Sequence, residues 1–378
     1  MQLSVFALAS IILFAPLLGR ANNTVPAPPS VSATGYLLID PDSDRVLAAQ
    51  DAEQRLEPAS LTKIMTAYVV FRELRGGSIK PSDQVLVSEK AWKTPGSRMF
   101  IEVNTRVSVE DLLKGMVVQS GNDASVALAE HVAGSEEAFA NLMNDHAQRL
   151  GMLDTRFVNA TGLPDPEHYT TPRDITLVSE AMIREFPELY KLYSLREFTY
   201  NDIHQKNRNE LLWRDTNVDG IKTGHTAAAG YCLVASAKRD GMRLISVVMG
   251  TDSEKARVRE SLALLNYGFR FFETHRLYGA DDRLTRARVW MGDREQVALG
   301  LKRDLFVTIP RRQYDKLEAR TEIDPQLQAP LSKGQKVGEV VVELDGEVIT
   351  REPLIALETV PEGGIWRTVV DTVLMMLE

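Results

Sequence analysis

The sequence predicts an α+β protein: one antiparallel sheet assembled from distant chain segments and covered by helices, then a small all-β domain, then a terminal amphipathic helix. Three observations carry that prediction. Strand-like runs stand at both ends of residues 34–284, with helical runs between them. From Arg286 onward only short β-rich runs separated by turn residues remain. After Gly363-Gly364, the apolar residues Trp366, Val369, Val370, Val373 and Leu377 recur at helical spacing, with Arg367, Thr368, Asp371 and Thr372 opposite them.

At the start of the chain, residues 3–18 are apolar and uncharged and lead to Gly19-Arg20-Ala21, a small-x-small site. This predicts a secretory signal over 1–21 and an exported mature protein, although no basic side chain precedes the apolar run. A Pro/Ser/Asn-rich linker fills 22–33. Residues 35–39 and 45–49 flank the turn-rich Asp40-Pro41-Asp42-Ser43-Asp44 and predict a β-hairpin. A helix over 60–74 is stopped by Gly76-Gly77. Short strands and turns fill 80–105. Helices over 109–118 and 124–132 are interrupted by Gln119-Ser120-Gly121-Asn122-Asp123, and a third over 138–150 is closed by Gly151.

Gly and Pro mark 161–172 as a loop, and 174–184 resumes helix. Strands return at 221–224, 231–237 and 243–249, the last two joined at Arg239-Asp240-Gly241, and a long helix over 253–273 covers them. In the all-β domain, 285–362, strands are expected at 289–290, 296–299, 305–309, 336–338 and 340–344, with Asp345-Gly346 turning the chain into 347–350. It holds no catalytic-looking cluster, which leaves a spacing or partner-contacting role. The terminal helix, 363–378, suits a membrane interface or packing against its own domain or another subunit. Lacking a basic face, it would be drawn only weakly to anionic lipid.

Composition removes several function classes. The 378 residues are 44% hydrophobic and 25% charged, ordinary for a folded chain of two domains and incompatible with wholesale disorder. A net charge of −8 with no Lys/Arg cluster argues against nucleic-acid binding. The one cysteine, Cys232, excludes an internal disulfide or a cysteine metal site, and its strand-like surroundings make it a buried small hydrophobe. The six histidines show no metal-ligand spacing, so neither a metal nor another cofactor is implied.

The chemistry centres on Pro58-Ala59-Ser60-Leu61-Thr62-Lys63. A hydroxyl and an amine three residues apart share one helical face and can share a proton. Free N–H groups at a helix start favour developing negative charge. Together these supply a nucleophile, a neighbouring base and oxyanion donors. Alone, the pair reads equally well as a serine cap and an ordinary helical lysine. Two further motifs change that balance: Ser120-Gly121-Asn122 in a break between helices, and Lys222-Thr223-Gly224 on a strand. Each of the three occurs once, and their order and separation match the three-part signature of penicillin-binding proteins and class A β-lactamases.

The chain also resembles, at Asn207-Arg208-Asn209, in the run from Val218 to Thr226 and at Phe269-Arg270-Phe271-Phe272-Glu273, the D-alanyl-D-alanine carboxypeptidases among the low-molecular-mass penicillin-binding proteins. The resemblance covers nearly the whole mature chain. It implies a β-lactamase/transpeptidase-like catalytic domain over 34–284 and a peripheral place on the periplasmic face of the inner membrane. It also implies a peptidoglycan stem pentapeptide ending in D-Ala-D-Ala as substrate and β-lactam antibiotics as covalent inhibitors. Ser60 would attack the carbonyl between the two D-alanines, and Lys63, kept neutral by burial and by a nearby cation such as Lys222, would take its proton. Ser120 would relay a proton to the departing amine, and Asn122 would face both Lys63 and the substrate. Thr223 and Lys222 would hold the terminal carboxylate, and Gly224 would let backbone lie close to ligand. The N–H groups of Ser60 and His225 would form the oxyanion hole. Arg208 and Arg257 are either carboxylate anchors or surface salt bridges, and His168 is either a lid or water-positioning residue or an exposed loop histidine.

Other chemistries share this apparatus. A class A β-lactamase needs a glutamate before the Lys-Thr-Gly strand to hydrolyse its acyl-enzyme; here Glu167 lacks the Leu-Asn that follows it in that pattern, and the second motif is Ser-Gly-Asn. Slow loss of a bound penicillin is therefore expected. An inactive peptidoglycan-binding protein would need a defect the sequence does not show. An endopeptidase cutting D-alanyl cross-links would use the same residues.

Overall fold

The computed structural model describes residues 25–376; the expected signal segment and Leu377 lie outside the described residues. Five antiparallel strands form the central sheet: β1 (Gly35–Asp40), β2 (Arg45–Gln50), β3 (Val218–Thr226), β4 (Gly230–Arg239) and β5 (Met242–Thr251), in the order β2-β1-β5-β4-β3. The hairpin from one end of the catalytic region thus joins three strands from the other through the β1–β5 pairing, with β3 at an edge. Period-two alternation sorts the side chains of β5. Ile245, Val247 and Met249 enter a core shared with the helical layer, while Leu244 and Val248 enter a second core on the opposite face.

The helical layer surrounds α1 (Thr62–Gly76), in which every residue from Thr62 to Phe71 is buried. A helix apolar on all sides must lie inside, and α2 (Val109–Val118), α3 (Asn122–Ala133), α4 (Glu136–Arg149) and α5 (Pro172–Glu185) share its core. On the other face, Leu264, Leu265 and Phe269 of α6 (Glu254–Phe271) pack on Leu38, Leu47 and Leu233. Val31 is buried in this second core and the Tyr267 hydroxyl donates to the Pro26 carbonyl at 2.9 Å, so the stretch expected as a linker is strapped down from Val25 onward.

Several elements differ from expectation. The long helix ends at Phe271, and β6 (Phe272–Tyr278) pairs with β9 (Leu305–Pro310) instead of extending the helix to 273. No glycine or proline marks that switch; the pairing partner alone makes it. The remaining strands of the C-terminal domain are β7 (Thr285–Arg288), β8 (Gln296–Gly300), β10 (Leu317–Ile323), β11 (Lys336–Leu344) and β12 (Glu347–Ala356), in one sheet of order β7-β8-β12-β11-β10. Residues 289–290 are not a strand: Trp290 makes only an isolated bridge to Gln328. Strand β10 escaped notice because it is mostly exposed and charged. Asp345 and Gly346, at φ 52° and 84°, supply the two left-handed residues of the expected tight hairpin. Helix 89–93 and the hairpin 197–206, which leads into Arg208, were also not foreseen.

The terminal helix, α7 (Ile365–Met375), packs by its polar side. Asp371 is buried and accepts the Met291 N–H at 2.6 Å, and Arg367 reaches Glu295 at 3.4 Å. Its apolar side faces outward, with Ile365 and Trp366 more than 80% exposed and Val369, Val370 and Val373 about half exposed. No helix among the described residues is long and apolar enough to cross a membrane.

The two lobes meet at Asp40. Its buried Oδ2 accepts from the Thr308 hydroxyl at 2.8 Å and from the Thr274 hydroxyl, and Arg45 donates to the Thr308 carbonyl. Asp40→Ala removes the acceptor that the two hydroxyls share, leaving them only each other and Ser43, and a loss of about 1–3 kcal/mol is expected. Thermal or urea unfolding of the variant checks this; an unchanged transition would show that the cluster contributes nothing net.

Candidate active site

Ser60 does not open the α-helix as expected. It lies in a one-turn 3₁₀ segment, Ala59–Leu61, immediately ahead of α1. Ala59, just before it, holds φ at 47°, a left-handed conformation that side chains resist. Lys63, one helical turn on, is 1% exposed. Its Nζ lies 3.0 Å from Ser60 Oγ, 2.7 Å from Asn122 Oδ1 and 2.6 Å from the Thr161 carbonyl.

The chemistry of those neighbours sets the amine's orientation. The amide oxygen and the carbonyl can only accept, so they take the two hydrogens of a neutral amine. The lone pair is left facing the Ser60 hydroxyl. Burial, and then the Arg208 guanidinium, bring the Lys63 ammonium down to about 7, against a smaller opposing pull from Asp123. Arg208 thus joins Lys222, whose own charge is opposed by Lys63, as a cation beside this amine.

Asn122 reaches Lys63 because it occupies the first turn of α3, after the Ser120-Gly121 break. Its Nδ2 donates to the Pro95 carbonyl at 2.6 Å. Asp123 accepts the backbone N–H groups of Met99 and Phe100 at 3.0 and 2.9 Å, tying the 95–101 segment to the same helix start. Ser120 is itself left-handed, φ 65°, and its Oγ accepts from Lys222 Nζ at 2.9 Å. Lys222 is 2% exposed, not an exposed strand residue, and burial followed by Lys63, Arg208 and Arg257 pushes its pKa well below the usual lysine range.

Strand β3 touches the nucleophile turn. A Cβ on Gly224 would stand 3.0 Å from the Pro58 carbonyl oxygen and 3.3 Å from Ala59 Cβ, so a side chain there would force strand and turn apart. Thr223 is buried beside it. His225 is exposed, its ring stacked on Tyr231 with centroids 4.0 Å apart.

Arg208 makes no surface salt bridge: among the described residues its hydrogen bond is to the Gln119 carbonyl, at 3.1 Å, with no carboxylate partner. Arg257 is buried rather than on the surface, donates to the Gly224 carbonyl at 3.2 Å and lies 3.4 Å from Glu254. His168 is no exposed loop residue; it is 2% exposed and bonded to Thr62. Glu167 points outward and pairs with Arg156 at 2.7 Å. Among the described residues no group of acidic, histidine or cysteine side chains could hold a metal ion.

Sequence reasoning missed Thr161, Thr62 and Asp123. For Thr161 a signal existed: Asn159, two residues earlier, accepts from the Thr161 and Gly162 N–H groups at 3.1 and 2.8 Å, the turn that Asn-x-Thr-Gly favours.

A lysine facing a serine hydroxyl, beside a second lysine–serine pair at the edge of an antiparallel sheet, defines a serine hydrolase of the penicillin-binding type. Family models agree: residues 22–253 match that of the D-alanyl-D-alanine carboxypeptidases and 272–362 that of the penicillin-binding protein 5 C-terminal domain. The chain is 48% identical over 375 residues to the D-alanyl-D-alanine carboxypeptidase DacC of Escherichia coli, covering 97% of this chain and 94% of that one. Penicillin binding protein 5 from Haemophilus influenzae is 47% identical with a TM-score of 0.87, covering 89% of this chain and all of its own. Penicillin-binding protein D2 from Listeria monocytogenes in its ampicillin-bound form is 29% identical with a TM-score of 0.59, covering 63% and 98%. The chain belongs to the D-alanyl-D-alanine carboxypeptidase family.

A lysine held at about 7 in the fold and 10.5 in the unfolded chain binds fewer protons when folded between those limits, so stability rises with pH across that window. Lys63→Met, similar in volume, removes this term. The variant should exceed wild type in melting temperature most at pH 6–7, with the gap closing toward pH 10. A pH-independent gap would show that Lys63 is not strained by burial.

Proposed function

We propose that this chain is an exported serine-type carboxypeptidase that removes the terminal D-alanine from peptidoglycan pentapeptides through an acyl-enzyme on Ser60. The observation that supports it most is the Lys63 amine, 3.0 Å from Ser60 Oγ with its hydrogens directed at two fixed acceptors. The free edge of β3 accommodates an extended peptide by strand addition.

Lys63 takes the Ser60 proton as Oγ bonds to the penultimate D-alanine carbonyl carbon. The Ser60 and His225 N–H groups carry the oxyanion. As the C–N bond breaks, Ser120, 2.9 Å from Lys222 Nζ, relays to the departing D-alanine amine the proton that Lys63 took from Ser60. Thr223, with Arg208 and Lys222 supplying positive field, receives the terminal carboxylate, and Arg257 steadies the strand through Gly224. Water then releases the shortened peptide. A β-lactam acylates Ser60 by the same route but keeps its leaving group tethered, and Glu167, turned away to Arg156, does not serve its hydrolysis.

Purified protein incubated with a D-Ala-D-Ala-ended peptide should release D-alanine, and a labelled penicillin should mark wild type but neither Ser60→Ala nor Lys63→Ala. Fast penicillin turnover without D-alanine release would instead identify a β-lactamase.

The exposed apolar side of α7 supports a peripheral seat on the periplasmic face of the inner membrane. Deleting 365–378 should move the protein from membrane to soluble fractions with D-alanine release unchanged. Retention on membranes would place the anchor elsewhere.

A further inference from the structure

Among the buried titratable groups outside this mechanism, His168 lies against the nucleophile turn, and its two ring nitrogens can be assigned from their partners. His168 Nδ1 lies 3.2 Å from the Val158 backbone N–H, which can only donate, so Nδ1 is the bare nitrogen and Nε2 carries the hydrogen. Nε2 is 2.8 Å from Thr62 Oγ1 and donates to it. The Thr62 hydroxyl in turn donates to the Ala59 carbonyl at 2.8 Å. The relay thus runs from the 158–168 loop to the left-handed residue just before Ser60.

The same loop grips α1 at two more points. The Thr161 carbonyl accepts from Lys63, and the Ala160 carbonyl accepts from the Thr66 hydroxyl at 2.8 Å. Gly162 lies so close that an added Cβ would stand 1.7 Å from the Ala59 carbonyl oxygen and 2.8 Å from Thr62 Oγ1. Loop and nucleophile turn therefore fit only in this register, and His168 is the side chain that fastens them. Phe157 packs edge-on against its ring at 5.6 Å.

We propose that His168 is a positioning residue for acylation: through Thr62 it fixes the Ala59 carbonyl ahead of Ser60, and by clamping the loop it keeps the Thr161 carbonyl on Lys63 so that the amine lone pair faces the nucleophile. This rests on Lys63 being the base. Burial pushes His168 down to about 4, with Asp165 opposing and Lys63 assisting, so the ring is neutral and the relay intact at neutral pH. The charged groups bearing on Lys63 itself are Arg208, Asp123 and Lys222.

The test measures the rate constant for acylation of Ser60 by a fluorescent penicillin from pH 5 to 9, beside the melting temperature, in wild type, His168→Ala, His168→Gln and Thr62→Val. His168→Ala and Thr62→Val should acylate about 10- to 100-fold more slowly, the penalty for sub-ångström loss of alignment. The acid limb of the profile, which reports the neutral amine, should move to higher pH as water reaches Lys63. His168→Gln, which can still accept from Val158 and donate to Thr62, should recover most of the rate. Acylation within about twofold of wild type, or a lowered melting temperature with the acid limb unmoved and no recovery in His168→Gln, overturns the proposal. Should His168→Ala fail to fold, Thr62→Val decides by the same criteria. Acylation retained in Lys63→Ala would instead overturn the assignment of the base.

Discussion

A buried amine with no carboxylate in contact is the constraint on which the site is built. In water Lys63 would be an ammonium, indifferent to a neighbouring hydroxyl; burial makes the charged form costly and moves the equilibrium toward a base. Its contacts are a hydroxyl, an amide and a backbone carbonyl, all uncharged. The carboxylate of Asp123 is occupied by the backbone N–H groups of Met99 and Phe100. Excluding water from one nitrogen takes several elements. Helix α1 is buried around its circumference, α3 brings Asn122, and the 158–168 loop closes the remaining side.

Two backbone conformations set the aim of the reacting hydroxyls. Ala59 and Ser120 both adopt left-handed φ, at 47° and 65°, although neither is glycine. Each costs on the order of 1–2 kcal/mol and persists only where its surroundings hold it. Ala59 is held by Thr62 and by the close approach of Gly162; Ser120 is held by Lys222. The strain therefore falls beside the nucleophile and on the second serine, where direction matters most.

Much of this was legible before the coordinates, and the remainder was hidden for identifiable reasons. Ser60, Lys63, Ser120, Asn122 and Lys222 stand in compact motifs whose spacing is local, so the residues that meet could be named from the chain. The sheet was legible as well, because β4 and β5 are near-continuous runs of apolar and small residues with a tight turn between them. Contacts made by main-chain atoms left a fainter mark: the Thr161 carbonyl could belong to any residue type, and only the turn at Asn159 pointed to it. His168 was misjudged because a histidine in a Gly/Pro-rich stretch looks solvent-exposed, and only tertiary packing against Phe157 and Thr62 buries it. Strand β6 was missed because its pairing partner lies about thirty residues further along the chain, and β10 because it is mostly exposed and carries a charge at every second position.

The position of β3 at the end of its sheet has a consequence apart from catalysis. An unpaired strand edge invites a second sheet to join, the first step toward aggregation. Here the rim lies in a trench, with the turn at Pro58 and Ala59 against Gly224 on one bank and Ser120 gripping Lys222 on the other. A rigid neighbouring sheet would strike those banks before it could pair. The contacts that align the chemistry also guard the strand edge.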